Sequence, residues 1–155
     1  MTFRVNGLTA ATAASADHAL ASLWNPHATA RIRLVEISVV ATTAPAAGSG
    51  LELRRITTRG TPGSTVTPGI QNHDARELAP PSGVLLDLAA FTGQPTLEAN
   101  GLWGWILGAV IGSGFIYPIP RGLVIPAGAG IALVNRAAIA VPACEVTFVW
   151  EGHDG

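Results

Sequence analysis

The C-terminal third of the chain limits its fold more tightly than any other stretch. From Ile119 to Arg136, and again from Val141 to Glu151, short apolar segments are cut by Pro and Gly. The last segment alternates, with Cys144, Val146, Phe148 and Trp150 on one face and Glu145, Thr147 and Glu151 on the other. A period of two, rich in β-branched and aromatic residues, is that of a half-buried strand. Three strands separated by turns therefore close a β-sandwich at the C-terminus. None of them carries a reactive constellation.

The same reading extends upstream. Arg31–Thr43 and Leu51–Arg59 read as two long strands joined by a small-residue turn, a hairpin with a seven-residue loop. Val84–Ala90 and Pro95–Ala99 are shorter strands, and Leu102–Tyr117 is one bent strand or two joined at Gly112-Ser113-Gly114. Thr2–Val5 is a short strand or an arm lying on a neighbour. Thr9–Leu23 is alanine-rich with Ser15 and Asp17 as caps, and reads as a short helix or an ordered arm. The expected fold is all-β: an antiparallel two-sheet β-sandwich of jelly-roll type with eight or nine strands. Residues 1–30 form an arm or short helix next to it, and 31–155 form the sandwich, within a single domain overall.

Composition narrows the function classes. Charged residues are 12% of the chain and hydrophobic ones 48%, which suggests apolar surface buried against neighbouring subunits. A net charge of −1 and the absence of any basic run argue against direct nucleic-acid binding. All nine cations are arginine, so mechanisms that need a lysine amine, such as a Walker loop or a Schiff base, are excluded. Leu102–Ile119 is uncharged and apolar, but its glycines, its prolines and its length argue against a membrane helix. The single cysteine, Cys144, lies on an apolar strand face and reads as a buried structural thiol.

Each candidate for chemistry has a plainer reading. His73-Asp74, with Arg76 and Glu77, is the densest polar cluster, yet adjacent positions on extended chain point apart and no third ligand is suitably spaced. Its loop, 60–83, is long enough to be functional or ordered by a partner. Ser113 between glycines lacks the flanking pattern of a nucleophile elbow and reads as a bulge or kink. Glu36 and Glu52 could face one another across the first hairpin, where Arg33, Arg54 and Arg55 supply cross-strand ion pairs. Trp103 and Trp105 project together from one strand, near Ile106, Phe115 and Tyr117. They make a core face and oligomer interface, or else a carbohydrate-stacking platform, and the first is favoured. No catalytic residue, metal site or cofactor is expected.

The run Leu51–Thr65, the later His73-Asp74 and Pro80-Pro-Ser-Gly83, and the closing Leu123–Asn135 and Val146–Glu151 resemble small virion proteins of tailed double-stranded DNA phages. These are decoration, or cement, proteins with jelly-roll folds. The resemblance covers roughly residues 31–151, and its motifs are structural. It implies a non-enzymatic homotrimer on the capsid surface, made in the host cytoplasm, with the phage major capsid protein as partner and neither nucleic acid nor membrane bound. The expected trimer seam is Trp103, Trp105, Ile106, Phe115 and Tyr117. The expected capsid-facing loop carries Arg59, Thr61, Thr65, His73, Asp74 and Arg76, with the N-terminal segment as the other candidate. The competing reading is a receptor- or carbohydrate-binding jelly roll of a fibre or spike; a metal-dependent cupin-like enzyme is disfavoured by scattered histidines.

Overall fold

The alternation in the last strand survives folding. In the computed structural model, which describes residues 2–44, 47–66, 71–72 and 83–153, β11 (Cys144–His153) lies between β1 (Thr2–Leu8) and β3 (Arg31–Ala41). Cys144, Val146, Phe148 and Trp150 all point into the core and are fully buried. Phe3 of β1 meets Trp150 there with ring centroids 5.9 Å apart.

The molecule is an antiparallel β-sandwich. Its remaining long strands are β2 (Ala19–Asn25), β4 (Ser49–Ile56), β8 (Leu97–Leu107), β9 (Gly114–Ile125) and β10 (Ala129–Asn135). Three short ones, β5 (Ser64–Val66), β6 (Gln71–Asn72) and β7 (Leu85–Leu88), belong to the insertion between β4 and β8. One sheet runs β6-β1-β11-β3-β9 and the other β5-β7-β2-β10-β4-β8. Each strand of the first half pairs antiparallel with one of the second: β1 with β11, β2 with β10, β3 with β9 and β4 with β8. The chain is thus a long folded-back ribbon wrapped so that successive strands alternate between sheets.

This winding corrects the expected first hairpin. β3 and β4 lie in opposite sheets, so the connection between them is an arch from one sheet to the other. Ile32, Leu34, Ile37 and Val39 of β3 and Leu51 and Leu53 of β4 enter one core from opposite sides, which pairing in a single sheet would prevent. Glu36 accordingly stands opposite Val149 and Pro118, and Glu52 opposite Val134 and Gly104, so the two carboxylates do not face each other.

The alanine-rich N-terminal stretch is also not a helix. Residues 9–18 are irregular, and Ala19–Asn25 is a strand between β7 and β10. Its small residues suit a strand covered on both faces, and sheet pairing overrides a weak helical preference. On the outer side, Ala19 joins Ala132, Val134, Ile56 and Phe91 in a second small cluster. Leu102–Tyr117 resolves into the ends of β8 and β9 around a turn at 108–113, and no described helix is long and apolar enough to cross a membrane.

Two buried asparagines tie the loops at the two ends. Asn25 Nδ2 donates to the carbonyls of Ala30 (2.9 Å) and Pro126 (3.2 Å). Asn135 Nδ2 reaches those of Ala13, Ser15 and Ile139, while its Oδ1 accepts from Thr12 Oγ1 at 3.0 Å.

Candidate functional site

The five residues of the expected seam gather where the sandwich would otherwise stand open. Trp103 and Trp105 lie on β8, at the edge of one sheet, and Phe115 and Tyr117 on β9, at the edge of the other. Trp105 stacks on Phe115 with centroids 4.5 Å apart and planes 9° from parallel, and meets Tyr117 edge-on at 5.3 Å. Trp103 tilts against Tyr117 at 5.8 Å. In register, Trp103 and Trp105 stand beside Leu53 and Leu51, and Phe115 and Tyr117 beside Val39 and Ile37, so all four rings turn inward. They bridge the sheets. Ile106, next in line, points outward and is 78% exposed.

The residues of the expected capsid-facing loop separate. Arg59 and Thr65 converge on the fully buried Asp87 of β7: Arg59 Nε and Nη2 each donate to one carboxylate oxygen at 2.7 Å, and Thr65 Oγ1 donates at 2.7 Å. That hydrogen bond raises the Arg59 pKa further, opposed by a lesser effect of burial. Thr61 is held through its backbone by Gly93. These three groups clamp the insertion to the sheet. His73, Asp74, Arg76 and Glu77 lie outside the described residues.

The other candidates are dispersed. Cys144 is sealed in the core, where burial pushes its thiol from an ordinary 9.0 up to about 12, and its Sγ donates to the Pro142 carbonyl at 3.2 Å. Ser113 sits in the β8–β9 turn, its carbonyl accepting from Ala41 N. His18 lines a cavity of about 90 Å³ with Thr12, Phe91 and Gln94. Among the described residues, no three His, Cys, Asp or Glu side chains gather as a metal site. Among the described residues Arg54 does not pair with a glutamate side chain; it takes Asp17 at 2.6 Å and the carbonyls of Glu98 and Ala99.

The surface holds a feature that residue-by-residue reading missed. Among the described residues, all seven large hydrophobic side chains that stand exposed lie at one end of the sandwich: Leu8, Val40, Ile106, Val110, Ile111, Ile116 and Ile139. The four connections there are 9–18, 42–48, 108–113 and 136–143. They are cross-linked by backbone hydrogen bonds such as Thr12 N to Val141 O, Thr42 N to Ala143 O and Gly112 N to Ala41 O. Residues 5–16, 37–51, 99–120 and 137–144 contain no charged residue or histidine. The opposite end carries Arg31, Arg55 and Arg121. An open apolar groove of about 230 Å³, lined by Ala44, Ile139, Ala140 and Pro142 among others, lies at the charge-poor end. The signal was four uncharged runs far apart in sequence. Each alone reads as a turn, and only the winding brings them together.

No protein-family model matches the chain, and no curated protein matches it.

Proposed function

We propose that this chain is a non-enzymatic structural protein of a tailed-phage virion, a decoration protein that binds the capsid surface as a homotrimer and stabilises the head. The strand order supports a jelly roll: without the three inserted strands, the sheets read first-eighth-third-sixth and second-seventh-fourth-fifth, two Greek keys wound together. Jelly rolls host capsid, lectin and cupin functions alike, so the choice among them rests on the surface. The observation that carries the reading is the collection of every exposed large hydrophobic side chain, among the described residues, at one charge-poor end. Such a patch suits lasting protein contact. A sugar platform needs solvent-facing rings, whereas Trp103, Trp105 and Tyr117 are half-buried and pack against the core between the sheets.

Light scattering on the purified protein, followed by co-sedimentation with expanded empty capsids, tests this reading. The expected result is a mass three times the 15.9 kDa chain and pelleting with capsids. A monomer that stays in the supernatant would overturn it.

A further inference from the structure

We propose that Asn100–Gly101 is a self-modifying site, where the Asn100 side-chain amide is lost through a cyclic imide and a carboxylate takes its place on the edge of the sandwich. The proposal rests on the backbone of β8, and on neither a capsid nor an oligomer.

The reaction needs water and no other reactant. The main-chain nitrogen of Gly101 attacks Cγ of Asn100, its proton passes to solvent hydroxide, and the Cγ–Nδ2 bond breaks to release ammonia. Water then opens the imide. Attack at Cγ leaves aspartate; attack at the main-chain carbonyl breaks its bond to Gly101 N and leaves isoaspartate. One water is consumed, one ammonia is released, and nothing is oxidised or reduced. Ring closure has two requirements: a following residue without a Cβ to crowd it, and a backbone free to leave the extended conformation that holds Cγ away from that nitrogen.

The sequence meets the first requirement at Asn6–Gly7 and at Asn100–Gly101. Both asparagines are exposed, so access to water does not separate them. Strand pairing does. Asn6 lies in an unbroken register of β1 with β11, opposite Thr147, and its Nδ2 donates to Glu145 Oε1 at 3.0 Å. A Cβ on Gly7 would lie 2.7 Å from Leu88 Cδ1, so the backbone there is packed down on its inner side. Ring closure at Asn6 requires the strand to open first.

Asn100 sits where the ladder fails. β8 is an edge strand, and between the pairs Leu53–Trp103 and Ile56–Leu97 five of its residues, 98–102, lie opposite only Arg54 and Arg55. Such extra residues bulge out and lose their ladder partners. Residues 98–101 are accordingly exposed in succession, where a regular half-buried strand would alternate. The Arg54 side chain stands in for the missing backbone, donating to the carbonyls of Glu98 and Ala99, but that support stops one residue short of Asn100. Among the described residues no side-chain hydrogen bond holds the Asn100 amide. The glycine is also fixed by its surroundings: a Cβ on Gly101 would overlap the Glu52 carboxylate, so packing retains the residue that makes Asn100 reactive.

The test incubates the folded full chain at pH 8 in water labelled with heavy oxygen, then digests it with trypsin in ordinary water, so that only conversion during incubation carries the label. Cleavage after arginine separates peptide 5–31, with Asn6, from peptide 77–121, whose one asparagine is Asn100. The expected result is labelled aspartate and isoaspartate at Asn100, forming faster as pH rises, with Asn6 about tenfold slower or more because its strand must open. In urea, where no ladder protects either site, the two rates should converge. Isoelectric focusing should show the net charge of −1 gain one negative charge in step with the labelling. Asn100→Gln, an exposed change whose longer side chain disfavours the ring, should abolish that charge change. Equal rates at Asn6 and Asn100 in the folded chain would overturn the proposal. So would an Asn100 that reacts in urea but not when folded, or an Asn100→Gln chain that acidifies at the parent's rate.

Discussion

Arg59 grips Asp87 through two parallel N–H···O bonds of 2.7 Å each, joining the loop after β4 to a short strand far along the insertion. Asp87 has no exposure to water, while the Arg59 side chain keeps about a third of its surface exposed. The carboxylate therefore depends on its partners more than the guanidinium does. Removing Arg59 leaves a buried charge held by Thr65 alone, the costly way to break a buried pair. Arg59→Ala should lower unfolding stability by about 3 kcal/mol, and Asp87→Ala by less, since a freed guanidinium still reaches water. Arg59→Lys should recover only part of the loss, because an ammonium cannot make the two parallel bonds. Urea midpoints at constant m measure all three; equal losses from Arg59→Ala and Asp87→Ala would contradict the asymmetry.

Asn135 should be nearly irreplaceable. Its amide reaches three carbonyls from two loops while its oxygen accepts from Thr12, in a place with no exposure. Truncation strands several buried polar groups together, so Asn135→Ala should cost about 3 kcal/mol or more. Asn135→Asp should be at least as harmful, because a carboxylate would turn an acceptor toward three carbonyl oxygens. Amide exchange at Thr12, Asp17 and Val141 should rise in both variants, showing the charge-poor end loosening before the rest of the sandwich.

Two glycines in strands give a contrast that tests the close approach of β9 to β3. A Cβ on Gly114 would lie 2.1 Å from the Val39 carbonyl oxygen, whereas one on Gly152 would meet nothing within 4 Å. Backbone cannot yield as a flexible side chain can. Gly114→Ala should destabilise by about 2–3 kcal/mol, in the range of overpacked cores, while Gly152→Ala should stay within about 0.5 kcal/mol of the parent. Thermal melts of the pair suffice to check it.

The sandwich was legible because its strands carry the signal locally. Cys144, Val146, Phe148 and Trp150 alternate without interruption, and each is fully buried. Pairing was less legible: nothing in Arg31–Thr43 and Leu51–Arg59 distinguishes a hairpin from an arch, since both place one apolar face inward. β2 was hidden because Ala19, Ala21 and Ser22 lack strand-forming bulk, and their burial comes from β7, β10 and an outer loop. Trp103, Trp105, Phe115 and Tyr117 were found as a group, although as rings that bridge two sheets. Arg59 and Thr65 were singled out without their partner inside the fold, because Asp87, flanked by leucines, gave no sign of where its charge would be satisfied. The charge-poor end was in plain view as composition, yet its coherence depends on four connections from different parts of the chain.

Cys144 should give the alkaline stability profile a single dominant cause. Burial raises its pKa in the folded chain from 9.0 to about 12, so between these values the unfolded chain has lost a proton that the folded one retains. The unfolded state then binds fewer protons, and stability must fall as pH rises through that window, by at most about 1.4 kcal/mol per pH unit. Below pH 9 both states are protonated at this thiol, and its stabilising contribution is fully present. The sequence has no lysine and one tyrosine, which leaves few other groups to titrate in the same range. Cys144→Ala should therefore flatten the slope of urea-derived stability between pH 9 and 11, even though it lowers stability at neutral pH by removing a packed sulfur. At pH 8 the native thiol should be inert to a disulfide reagent, and one thiol per chain should appear on denaturation. A slope that persists undiminished in Cys144→Ala would place its origin elsewhere in the fold.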